Sequence, residues 1–536
     1  MTRTLDRYAA RCANSVLAVT RIAVPAARSA ARDTAAVIAV AGLMASTAAA
    51  QDAKTVVSAA SKAMGVENLN AVYYYGTAAN GNLGQNNNAN QPWPLTPLND
   101  YRRAIDFAQP ASRATALTMA VSVVTSQLEA GVFNQNITPQ NMAWAQQLEI
   151  WITPWGFLKG AAANSATAKA QTVGGKRYTV VTWSSPIKAP SGASYRLVGY
   201  IDSNNLVERT QTWLENPIFG DMLVETEYTN YRDNNGLKYP ATIVQKRGGW
   251  PTFQAQILAA TANPANIQQL LTAPPPTAPT LANQAGRAGG PPPAPAGAGR
   301  GGPPPAPMPA SEKLAEGVYR ITQVPAQGAY SALAVEFSDH VFLFEPGPQN
   351  EARAQAIIAE TKKVIPNKPI RYGVISHHHF DHTSGLPAVV AEGITIVTHE
   401  TNRAFLMNAL SAPRTLAPDS MSKSGKKPKI EGIVGDKRVF QDATRTVEVH
   451  LIRGLPHADG LLVAYLPKEK ILAYADMFNL PAADNPVPNP PVIGTMVFLD
   501  NIDRLKLEPE KILSVHSLIP DRLATRADIV ASLGRK

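Results

Sequence analysis

Residues 273–310 of this 536-residue chain, APPPTAPTLANQAGRAGGPPPAPAGAGRGGPPPAPMPA, are almost wholly proline, glycine and alanine. A stretch of that composition cannot bury enough apolar surface to offset the entropy of ordering it. It reads as a semi-rigid, partly extended linker, and it excludes one continuous core. Length alone predicts two or three domains. The chain therefore divides into residues 51–272 and 311–536, and its 45% hydrophobic and 17% charged residues suit globular domains on both sides.

Residues 1–50 read as a cleavable export signal. Arg3, Arg7, Arg11, Arg21, Arg28 and Arg32 form a basic region, and the apolar AAVIAVAGLMASTAAA ends in small residues just before Gln51. The apolar run is too short and alanine-rich for a membrane span. The expected location is periplasmic or secreted, with cleavage near Ala50. Loss of this segment removes six arginines and two aspartates and lowers the formal charge from +10 to +6. The remaining charge is scattered, so no nucleic-acid partner is expected. The only cysteine, Cys12, lies in the signal, which leaves the mature chain without a disulfide or a thiolate ligand.

Upstream of the linker, KRYTVVTW (176–183), YRLVGYID (195–202), LVERTQTW (206–213), MLVETEYTNYRD (222–233) and LKYPATIVQKRGG (237–249) follow one another as strands, several separated by the turns DSNN and DNNG. The alternation in LVERTQTW and MLVETEY gives a sheet with one apolar face. A mainly antiparallel β domain is expected, and its topology and composition resemble the half-barrel of periplasmic lipoprotein carriers. That resemblance implies a lipid-like ligand. The Asn-rich NGNLGQNNNANQPWP (80–94) reads as a surface loop.

Downstream, GVYRIT, SALAVEF, HVFLFE and PIRYGVIS (369–376) read as strands and about 350–363 as a helix, an α/β pattern. All nine histidines fall here, four of them in SHHHFDHTSG (376–385). Neutral imidazole is the commonest metal ligand, and a strand-to-loop junction aims alternate side chains at one point. His377 and His379 therefore share a direction, His378 faces away, and Asp381 and His382 follow at the turn, within reach of a second ion. His340 and His450 read as structural, and His399 as a residue that orients a ligand. Lys423, Lys426, Lys427 and Lys429 read as a solvated surface insertion, and Leu406, Met407 and Leu410 as core.

HHHFDHTSG fits H-x-H-x-D-H, and three further motifs follow in order: GLPHADG (454–460) with His457, KILAYAD (470–476) with Asp476, and KILSVHS (511–517) with His516. In this the region from about 312 to the end resembles the metallo-β-lactamase superfamily. The resemblance implies a four-layer αββα sandwich with a dinuclear zinc site. His377, His379 and His457 would hold one ion, and Asp381, His382 and His516 the other, with Asp476 bridging. Asp381 would also accept a proton or orient the attacking water. Five histidines and two carboxylates favour zinc over magnesium or calcium.

His379 in place of glutamate argues against the flavin-linked di-iron oxygen reductases of this superfamily. Absence of a mature cysteine excludes its thiolate-ligand β-lactamases, and Asp476 points to the glyoxalase- and lactonase-like hydrolases. The expected activity is hydrolysis of a small-molecule ester, lactone, thioester or amide. Two alternatives stand beside it: a mononuclear iron dioxygenase of the same fold, and a carrier of apolar ligands with a subordinate metal domain.

Overall fold

The computed structural model describes residues 52–121, 128–140, 143–272, 308–324, 330–480, 487–516 and 522–535. The segment read as an export signal and nearly all of the stretch read as a linker lie outside the described residues. The first strand after that stretch, Met308–Ala315, begins inside the range read as linker.

Upstream lies an eleven-stranded sheet, antiparallel throughout, in which the last strand, Trp250–Ala262, returns to pair with the first, Ala71–Gly81. Local chemistry sets the hairpins. Asn234 pairs with Leu237 around a two-residue turn whose Asn235 and Gly236 have φ of 51° and 84°. Positive φ at both positions matches the twist of the flanking strands, and Asn-Gly tolerates it best. One face of the sheet is covered by helices Ala53–Met64, Trp144–Trp151 and Pro154–Ala163, which contribute Met64, Trp144, Leu148, Trp155 and Phe157 to a core with Val181, Leu197 and Val224. Buried side chains of this size contribute roughly 1.5–3 kcal/mol each.

Downstream are two sheets. Seven strands run from Met308–Ala315 to Ile430–Ile433, antiparallel up to Val341–Phe344 and parallel from there through Ile370–Val374 and Thr395–His399. Five more run from Lys437–Gln441 to Lys511–Ser514, of which only the last pair, Ile471–Tyr474 with Lys511–Ser514, is parallel. The sheets face each other across one core that joins Leu333, Leu343 and Val374 of the first to Val447, Ala464, Ala473 and Leu513 of the second. Alternation along Ile471–Tyr474 turns Leu472 and Tyr474 the other way, onto Phe498 and Ile502 of helix Ile493–Arg504 and Ile529 of helix Arg526–Ser532. Leu406 and Leu410 of helix Glu400–Leu410 are core residues, whereas Met407, on another face of that helix, is only half-buried.

The eleven-stranded sheet and the paired sheets belong to one compact unit, Ala49–Lys536. One joint is a turn of the large sheet: Asp221 accepts from the Thr415 and Leu416 amides, both at 2.9 Å, and Arg414 donates to the Ile218 carbonyl at 2.7 Å. The other joint is the Asn-rich loop after strand Ala71–Gly81. It does not stay at the surface: Asn86 is 1% exposed, and Trp93 packs edge-on against Phe380.

Candidate metal centre

The centre forms where strands of both sheets end. Residues 377–379 follow strand Ile370–Val374, and Asp381 and His382 sit on the single helical turn Phe380–Thr383. From the five-stranded sheet come His457, in the connection between Thr446–Leu451 and Leu462–Leu466, and Asp476 and His516, just past the two parallel strands. Parallel strands end on the same side, which brings Asp476 and His516 together. Asp476 has a φ of 57°, a left-handed conformation that aspartate tolerates better than most residues, and this turns its carboxylate across the gap.

The donor atoms fall into two groups, each within 4.8 Å: His377, His379 and His457 in one, Asp381, His382, Asp476 and His516 in the other. Asp476 touches both. Its carboxylate lies 2.8 Å from His382 Nε2 and 3.1 Å from His516 Nε2, and 3.8 and 3.9 Å from Nε2 of His377 and His457.

The outer nitrogens fix the tautomers. Ser376 Oγ is 2.9 Å from His377 Nδ1, and His379 Nε2 donates to the Asn86 carbonyl at 2.9 Å. Their inner nitrogens, His377 Nε2 and His379 Nδ1, and likewise His457 Nε2, are buried without a hydrogen-bond partner. A buried lone pair without a partner is costly, and three converging on one point suit a metal ion. Burial and the neighbouring imidazoles keep these rings neutral, the ligating form: His377 is driven well below its usual range, His379 down to about 3, and His457 is lowered too.

The second group is charged. Burial opposes ionisation there, but the Glu345, Asp476 and Asp381 carboxylates hold His382 well above its usual range, and Asp476 and Asp381 push His516 up to about 9. Against the same cost of burial, His382 and His516 hold Asp476 well below the carboxylate range. Glu345, fully buried at the end of strand Val341–Phe344, accepts from His382 Nδ1 at 2.8 Å and from the Tyr330 hydroxyl, and its other oxygen accepts from the Ser376 amide.

The large sheet completes the surroundings. Gln85 donates its side-chain amide to Asp381 at 3.1 Å, while the Asn86 carbonyl also accepts from His378 at 2.8 Å. His378 thus points away from the donor groups, and its pKa falls to about 4 through burial. Asn87 donates to the Pro456 carbonyl at 2.8 Å and accepts from the Asp459 amide at 2.6 Å, which ties the loop to the chain on either side of His457. Gly84 makes the approach possible, because a Cβ there would lie 2.3 Å from the Phe380 ring.

His399 spends its hydrogen bonds on Thr401, at the start of helix Glu400–Leu410, while the groups that orient the ligands are Ser376, Glu345 and Asn86. His340 pairs with Asp339 and His450 with Glu448. The four lysines of 423–429 are exposed, and Lys426 donates to the Ala391 carbonyl at 2.8 Å. Of the orienting groups, Glu345 left a trace in sequence, a lone acid closing an apolar strand; a backbone acceptor such as Asn86 leaves none.

Residues 326–512 match the family model of the metallo-beta-lactamase superfamily. Among solved structures, the chain is similar to a metallo-beta-lactamase from Pontibacter korlensis, at 17% identity and a TM-score of 0.31 over 42% of this chain and 97% of that one. It is also similar to one from Hirschia baltica, at 17% identity and a TM-score of 0.30 over 42% and 96%. A third, FIM-1 from Pseudomonas aeruginosa in its mono-zinc form, gives 18% and 0.31 over 43% and 96%. No curated protein matches the chain.

Proposed function

With the C-terminal region a member of the metallo-β-lactamase superfamily, we propose that this chain is an exported hydrolase that uses two zinc ions against a small-molecule ester, lactone, thioester or amide. We read its facing sheets and outer helices as the four-layer sandwich of that fold. The observation that carries the reading is the pair of donor groups with the Asp476 carboxylate between them. Bound there, the ions would acidify and orient a water and polarise the carbonyl it attacks.

The chain's own groups account for the rest. His377 and His382 are sealed, whereas Asp381 and His516 keep 33% and 29% of their side chains exposed, so substrate enters from their side. Asp381 is held below the usual carboxylate range by His382 and His516 despite the opposing effect of burial. Gln85 holds one of its oxygens and the other faces His382 and His516, from where it would orient the attacking water or accept its proton. Export rests on the six arginines and the apolar run of the first fifty residues.

The test is a panel of lactones, thioesters, esters, amides and β-lactams, run with wild type and with Asp476→Asn. Turnover by wild type that disappears in a folded Asp476→Asn supports the reading. Equal turnover by both, at equal metal content, contradicts it.

A further inference from the structure

Within the eleven-stranded sheet lies a cavity of about 170 Å³, with none of the metal-centre donors in its lining. Tyr101, Phe133 and Phe253 form aromatic walls, and Arg103, Arg247 and Glu149 bring charge into it. Arg103 is 5% exposed; its Nε donates to Ser112 Oγ at 3.1 Å and Nη2 to the Glu149 carbonyl at 2.9 Å. The Glu149 carboxylate is engaged by Arg247, and by Gln245 at 3.3 Å. Two guanidinium groups thus stand against one acid, Glu149, among the described residues of the lining, and its carboxylate is paired with Arg247. Tyr74 and Tyr101, beside Arg103, meet it with neutral hydroxyls and no negative charge, because burial raises both phenols.

An excess positive charge inside a protein is expensive unless an anion meets it. The lining thus holds one more guanidinium than carboxylate, beside a cavity walled by aromatic rings. We propose that this cavity binds a small carboxylate with an apolar body, its carboxylate paired with Arg103 and Arg247 and its body against the aromatic walls. Size sets the class: a cavity of about 150 Å³ accommodates benzene, so a ligand of benzoate size fits, and the lipid-like ligand expected from the sheet topology narrows to a short or aromatic acid. Leu83 lines the same cavity, at the root of the loop that carries Gln85 and Asn86.

The test is isothermal titration of the full chain with benzoate, using benzyl alcohol as a neutral match of similar shape. Benzoate is expected to bind with a Kd below about 1 mM and the alcohol at least about tenfold more weakly. Leu83→Trp, which fills the cavity, and Arg103→Met should each weaken benzoate at least about tenfold. If Arg103→Met does not fold, Leu83→Trp and the alcohol decide. His457→Ala should leave benzoate binding intact, which separates this site from the metal centre. Equal affinity for acid and alcohol, no binding up to about 10 mM, or binding lost in His457→Ala and kept in Leu83→Trp would each overturn the proposal.

Discussion

The two halves of this molecule are both rich in sheet, yet sequence exposes them in opposite ways. In residues 71–262 most strands pair with their neighbours in antiparallel hairpins and one long-range pairing joins first to last, so alternation and turn residues reveal most of the fold while nothing reveals a purpose. From 308 onward strands also pair in chain order, several of them parallel across intervening helices, and the chemistry is concentrated in a few residues at strand ends. The difference teaches where each kind of information resides. Local pattern dictates local pairing, whereas a metal centre needs particular side chains at particular ends. At one of the two joints between the halves, a loop from the legible sheet supplies Asn86 and Gln85 to the legible motif.

Breaking the centre from within should have the largest effect. Asp476→Asn and His379→Ala are each expected to lower kcat by on the order of a thousandfold or more, with far-ultraviolet circular dichroism unchanged. Chelation should remove activity and added zinc restore it, again without loss of secondary structure, because the core between the sheets is apolar and independent of the site. Wild-type rates after verified metal removal would contradict the assignment.

One step outward the effects shrink. Glu345→Ala removes the acceptor of His382 Nδ1 and should weaken metal binding about 10- to 100-fold, measured by competition with a chromophoric chelator. Gly84→Ala sharpens the comparison between halves, since its Cβ would collide with Phe380 and push the loop off His379. It should cost about tenfold in metal affinity although the residue belongs to the other sheet. Unchanged affinity would mean that the large sheet is only a neighbour. Gln85→Ala should have the smallest effect, a loss in kcat of a few-fold to about tenfold at unchanged metal content.

How much of this could be read beforehand follows from the same contrast. The hairpin at Asn235-Gly236 and the alternating strands around it were legible because each signal is contained within a few residues. The seven donor residues were legible because their types and order are unusual, although the distances between them come only from the fold. The loop 80–94 is surface only in part: its asparagines and glycines look like any turn, and the buried contact that matters is a carbonyl, which every residue possesses. The cavity beside Arg103 was invisible for a related reason, since Arg103, Glu149 and Arg247 are far apart in sequence and ordinary one at a time.

The most direct test of the central claim is metal content by mass spectrometry on untagged protein purified without chelator, for wild type and Asp476→Asn side by side. A centre bridged by Asp476 should hold about two zinc ions per chain, and fewer in the variant. A single iron in wild type, or no metal even after reconstitution, would contradict the account.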